Sequence, residues 1–169
     1  MTNTVTNTVK TLIAALTATV AVAFAFPAQA DSSMSFVVQG TIDVVCEASG
    51  NGIDSTEIIN LNSTSEQSVG SVTYTCNNAG GFTRTISSAN AGRLMNGNNS
   101  IDYKVSHGGG NGLAFGAEKL SSAKRTNHNG SNAFANGQTG SLKVQVPSLP
   151  SGLTAGNYSD TITIAIAAN

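Results

Sequence analysis

Hydrophobic positions along this chain recur with period two rather than 3.6. The stretch SMSFVVQGTIDVVC, Ser33 to Cys46, shows this most plainly. Met34, Phe36, Val38, Gly40, Ile42, Val44 and Cys46 are all apolar or small, and they occupy every even position. Strict alternation of this kind predicts an extended strand with one apolar face. The run is long for a strand, since about 5–6 residues is usual. Shorter runs follow. EIINLN comes after the turn-rich SGNGIDST, SVGSVTYTC carries Val69, Val72 and Tyr74 ahead of Cys76, and FTRTISS follows NNAGG. SIDYKVS places Ile101, Tyr103 and Val105 on one face, and GLAFG is short. SLKVQVP does the same with Leu142, Val144 and Val146, and YSDTITIAIAAN with Ile162, Ile164 and Ile166. Seven or eight short strands separated by turn residues predict an all-β antiparallel sandwich. Clusters of Gly, Asn and Ser interrupt the chain too often for a long helix. Lys119 to Gly140 reads as a long polar loop with little strand. Pro147 and Pro150 are expected to end a strand before a final hairpin.

The first thirty residues change the picture of where the domain begins. Lys10 is the only charge before Asp31, an apolar run spans Leu12 to Phe26, and PAQA follows. Ala28 and Ala30 are small residues where a signal peptidase reads, so residues 1–30 are expected to be a secretory signal cut between Ala30 and Asp31. The apolar run is shorter than the roughly 20 residues needed to cross a bilayer, and no basic stop-transfer group follows. No membrane span is expected in the mature chain. Removal leaves 139 residues, one domain in size. We divide it into an N-terminal extension, 31–44, and a β-sandwich domain, 45–169. Without Lys10 there are seven basic residues against nine acidic ones, a net charge of −2. No basic patch points to nucleic acid.

Candidate chemistry is sparse. SHGGG, Ser106 to Gly110, is like the oxyanion loop of some lipases, but the Gly-x-Ser-x-Gly turn that such a loop serves is missing from the sequence. His107 and His128 have no ligand spacing, and the acidic residues are scattered. Catalytic, cofactor and metal sites are therefore all expected to be absent. Asn-x-Ser/Thr sequons at Asn62, Asn98, Asn129 and Asn157 would matter only in a eukaryotic secretory route. Two cysteines in an exported chain, Cys46 and Cys76, most simply form one disulfide. Closing a loop of about thirty residues stabilises by roughly 3–4 kcal/mol in the chain-entropy model.

Three segments together resemble the spore coat protein U-type domain, the secreted pilin domain of archaic chaperone–usher fimbriae. The first is SFVVQGTIDVVC. The second is GRLMNGNNSIDYKVSHGG, with Arg93, Met95, Ile101 and Tyr103 in place of the family's Arg-x-Met, turn and strand. The third is LTAGNYSDTITIAIAAN, similar to the family's terminal strand through Ala155, Gly156, Tyr158, Asp160, Thr161 and Thr163. The resemblance implies an immunoglobulin-like sandwich that lacks its last strand. It implies that a neighbouring subunit fills the resulting groove with its N-terminal extension. Met34, Phe36, Val38, Gly40 and Ile42 would then be the donor-strand positions, and Tyr158, Asp160, Ile162, Ile164 and Ile166 would mark the terminal strand. The implied partners are other copies of the subunit, a periplasmic chaperone and an outer-membrane usher. The implied place is the cell surface, reached through the periplasm, with a role in adhesion or biofilm formation. Two alternatives stay open. Ser33–Cys46 could be an ordinary first strand of a closed sandwich. The protein could also be a monomeric secreted module that binds carbohydrate or a surface, with SHGGGNG and Lys119–Gly140 as its face.

Overall fold

The structure is a computed structural model, and it describes residues 34–51 and 56–169. The expected signal segment, with Ala30 and Asp31, lies outside the described residues. The chain divides after Gly40 into two units, Met1–Gly40 and Thr41–Asn169. Of the first, Met34–Gly40 is described, and it carries no strand.

The second unit is nearly all β. Its strands are β1 Cys46–Asn51, β2 Gln67–Cys76, β3 Phe82–Ser88, β4 Arg93–Asn96, β5 Asn99–Asp102, β6 Lys104–His107, β7 Phe115–Glu118, β8 Lys124–His128, β9 Gln138–Gln145 and β10 Ile162–Ala168. A single helical turn, α1 Asn132–Ala135, precedes β9. Five strands form one antiparallel sheet in the order β1-β2-β9-β6-β7, three form another in the order β10-β3-β8, and β4-β5 is a separate hairpin. The two main sheets pack as a sandwich. Ile86 of the smaller sheet shares a core with Val105, Leu142 and Val144 of the larger one, and Phe82 shares a second cluster with Val72 and Tyr74. Each side chain so buried stabilises by roughly 1.5–3 kcal/mol relative to exposure. Alternation therefore selects the inward face of β2, β3 and β9, as the sequence predicts.

Several expectations are corrected. No strand precedes Cys46 among the described residues, where the alternating run has no ladder partner. CEASGN, from the expected strand end at Cys46 into the turn-rich SGN, is β1: its six residues pair in register with β2 from Cys46↔Cys76 to Asn51↔Ser71. EIINLN, expected as a strand, is irregular backbone that ends in a turn. SIDYKVS is two strands in two different sheets, broken at Tyr103, whose N–H donates to Gly92 O at 3.0 Å. Ile101, Tyr103 and Val105 are nevertheless all buried, as expected. Lys119–Gly140 holds β8, α1 and the start of β9 rather than a loop alone. Ser131 caps α1 by accepting from Phe134 N at 3.3 Å, and the turn delivers Phe134 into the core. The last two strands form no hairpin: β9 ends before Pro147, and β10 crosses to the other sheet and pairs with β3.

Candidate functional site: an open apolar groove

The two sheets end differently on their two long sides. β7 and β8 are the end strands on one side, and Lys124 of β8 reaches Glu118 of β7 at 2.9 Å. The same ammonium lies 5.0 Å from the centre of the Phe115 ring. Charged side chains on end strands oppose further pairing. On the other side the end strands are β1 and β10, and the two are not hydrogen-bonded to each other. Between them runs a groove of about 950 Å³. Its floor comes from Val69 and Val72 of β2, Leu142 and Val144 of β9, Leu94 and Tyr103. One wall is Ala48 with the stretch from Thr56 to Leu61, and the other runs from Gly156 to Ile164. The inward residues of β10, Ile162, Ile164 and Ile166, are only half-buried. The core is open on this side where the groove runs, while Cys46, Ala48 and Ile166 pack on the second cluster.

The polar residues at the rim hold this open side in shape. Asp160 Oδ2 accepts from Tyr103 OH at 2.7 Å and from the Ser88 hydroxyl. Its Oδ1 accepts from Asn90 N at 2.9 Å and from Thr161 N at 2.7 Å. One carboxylate thus ties the start of β10 to the end of β3 and to the β5–β6 junction. Burial raises the Tyr103 phenol well above its ordinary range, and the bond to Asp160 raises it further. Tyr158 OH donates to Thr154 O at 2.8 Å, and Ser159 pairs with Met95 of β4 through two backbone bonds. Gly156 has a φ of +150°, and a Cβ there would collide with the Asn96 amide. The motif residues Tyr158 and Asp160 therefore build the groove wall. Cys46 and Cys76 are bonded, which ties the wall strand β1 to the floor strand β2.

Among the described residues, those lining the groove run from Ala48 onward. Met34 and Phe36 are each 81% exposed, Val38 93% and Ile42 86%. A Cβ added at Gly40 would meet nothing within 4 Å. Exposed apolar residues scattered singly are ordinary, but a contiguous set on one segment marks an interaction site.

Comparison with protein-family models and with curated proteins found no match. Among the described residues no helix is long and apolar enough to cross a membrane, and no three His, Cys, Asp or Glu residues are grouped as metal ligands.

His107 of SHGGG points into the core, where its Nε2 lies 2.9 Å from Tyr74 OH. Burial, followed by the charge of Arg84, lowers its pKa to about 4. His128 is lowered by the same two causes. Arg84 is the residue that sequence reasoning missed. It is 1% exposed, donates to Leu113 O at 2.9 Å, and lies 5.6 Å from the Tyr74 ring centre and 5.7 Å from that of Phe115. Its inward position could have been read from the alternation Phe82, Arg84, Ile86. A second hollow, of about 460 Å³, lies where Asn111 and Gly112 meet Thr126–Ser131 and Phe134. Asn77 was also missed, and nothing in the sequence singles it out. Its side chain bonds Val45 N at 2.8 Å and Asp43 O at 2.9 Å.

Proposed function

We propose that the protein is a pilin-type subunit that polymerises head to tail, each copy laying residues 33–42 in the β1–β10 groove of the next. One observation carries the reading. The molecule holds both an exposed period-two apolar segment without a strand partner and an apolar groove between two unpaired sheet edges. Each supplies what the other lacks. Ten extended residues span roughly 33 Å, the scale of a small sandwich. Even-numbered side chains would enter the groove and odd-numbered ones would face out. Burying Met34, Phe36, Val38 and Ile42 would stabilise by roughly 6–12 kcal/mol before ordering costs. Backbone hydrogen bonds to both edges would add to this.

A donor and an acceptor on different surfaces make a heterologous contact, which extends rather than closes. The resemblance to spore coat protein U-type domains supports the rest of the proposal. That comprises export through the periplasm, delivery by a chaperone and an outer-membrane usher, assembly into a surface fimbria, and a part in adhesion or biofilm formation. Electrophoresis of the exported protein without heat or reductant tests it. A ladder of multiples is the expected result. A single monomer band overturns the reading and favours the monomeric binding module, for which the hollow at Asn111 and Thr126–Ser131 is the supporting observation.

A further inference from the structure

The segment that leaves the sandwich is fixed at one point before it becomes free. Asn77 directly follows Cys76, the disulfide partner of Cys46. Its side chain and backbone hold three groups on the opposite chain. Val45 N donates to Asn77 Oδ1 at 2.8 Å, Asn77 Nδ2 donates to Asp43 O at 2.9 Å, and Asn77 N donates to Val45 O at 3.1 Å. The side-chain pair needs one acceptor and one donor on a short planar group. Asparagine supplies both, whereas aspartate supplies only the acceptor. The clamp carries order beyond the last ladder pair, Cys46↔Cys76, by three residues to Asp43. The last expected donor position, Ile42, directly precedes the clamped Asp43 in the sequence.

We propose that Asn77 is a positioning residue: it holds Asp43 and Val45 against the end of β2, where the chain enters the sandwich, and so limits the swing between consecutive copies in a fibre. The proposal rests on the strand-donation reading. A linker of flexible residues would let neighbouring subunits swing, and its reach and freedom would grow with its length. A clamp at the junction removes that freedom. Asn77 is exposed, so the clamp restrains the chain at Asp43–Val45 and adds little to the stability of the domain.

Two readouts on the same exported protein test this. Hydrogen exchange at the Val45 amide reports the clamp, and electron microscopy of the fibres reports the spread of angles between successive subunits. In Asn77→Ala we expect Val45 exchange to rise about three- to tenfold, fibres still to form, and the angular spread to broaden. In Asn77→Asp we expect Val45 protection to be largely kept, with broadening from loss of the Asp43 bond. Faster Val45 exchange with an unchanged angular spread would overturn the proposal, as would unchanged Val45 exchange in Asn77→Ala. Wild-type protein that forms no fibres defeats strand donation and the angular claim with it. Val45 exchange, which needs no fibre, identifies that failure as distinct from failure of the clamp.

Discussion

A single charge on the alternating segment separates the strand-donation reading from an ordinary first strand. Consider Val38→Asp beside Val37→Asp. Val38 is 93% exposed and Val37 is 83% exposed in the chain by itself. Neither substitution removes a packed side chain from the domain, so both should leave its unfolding midpoint within the usual surface range of about ±0.5 kcal/mol. Assembly should divide them. At Val38 the lost valine burial is about 1.5–3 kcal/mol, and an unpaired carboxylate in an apolar groove adds several more. A sum of about 5 kcal/mol weakens subunit association more than a thousandfold, at roughly 1.4 kcal/mol per tenfold. Position 37 faces the other way in an extended strand, so its aspartate stays in water. The assay is the unheated electrophoretic ladder, with circular-dichroism melting of the same samples. Val38→Asp should run as monomer with an unshifted melt, and Val37→Asp should keep the ladder. Equal impairment by the two, or a melt lowered several degrees by Val38→Asp alone, would refute the reasoning.

Other perturbations test the frame around the groove. Asp160→Ala removes the acceptor shared by Tyr103, Ser88 and Asn90, and should cost about 2–4 kcal/mol in denaturant unfolding by leaving buried donors unmet; a cost under about 0.5 kcal/mol, the ordinary surface range, would show the hub to be dispensable. His107 is held neutral in the fold, with its pKa lowered from 6.5 to about 4; its contribution is therefore complete above 6.5, is lost as pH falls from 6.5 towards 4, and levels off below, totalling at most about 3 kcal/mol. The slope should be shallower in His107→Phe, leaving the part that the likewise lowered His128 supplies, as followed by urea midpoints across pH. Thiol titration of unreduced, denatured protein should find no free cysteine, and reduction should lower unfolding stability by roughly 3–4 kcal/mol.

What the sequence revealed and what it hid divide along physical lines. β2, β3, β9 and β10 are legible because each carries several alternating apolar residues whose burial decides the outcome locally. β1 is poorly legible, since CEASGN continues the even-position alternation only through the small residues Cys46, Ala48 and Gly50. It is a strand because it pairs with β2 and is bonded to it at Cys46, and both causes lie in tertiary structure. EIINLN misleads in the opposite sense. Its Ile59 and Leu61 pack on the core and line the groove without a strand partner, while Ile58 is exposed. Apolar content there serves a wall and not a ladder. Arg84 escaped because a charged residue in a strand is expected to face water, whereas the rings of Tyr74 and Phe115 and the Leu113 carbonyl receive it inside. The groove is hardest to foresee, because it consists of pairing that does not occur. Alternation locates faces; it does not show which edges remain unpaired.

The contrast between the two long sides has a consequence for how copies can join. The β7–β8 side presents Lys124 and Glu118 bonded to each other, together with the exposed Arg125. A strand arriving there would have to displace an ion pair and desolvate a guanidinium, with little apolar area gained in return. The β1–β10 side presents half-buried isoleucines and a floor of valine and leucine. Strand addition is favourable on one side and opposed on the other. Under the strand-donation proposal, with Met34–Ile42 as the exposed alternating segment among the described residues, each copy would donate once and accept once. Joining under that rule gives an unbranched line with a free groove at one end and a free segment at the other. Growth can be stopped from either end by a different agent: a detached segment peptide fills the terminal groove, and a copy lacking residues 31–38 accepts but cannot donate. Both should shorten fibres in proportion to their share of the mixture. If the truncated copy shortened none, donation would have to come from some other part of the chain.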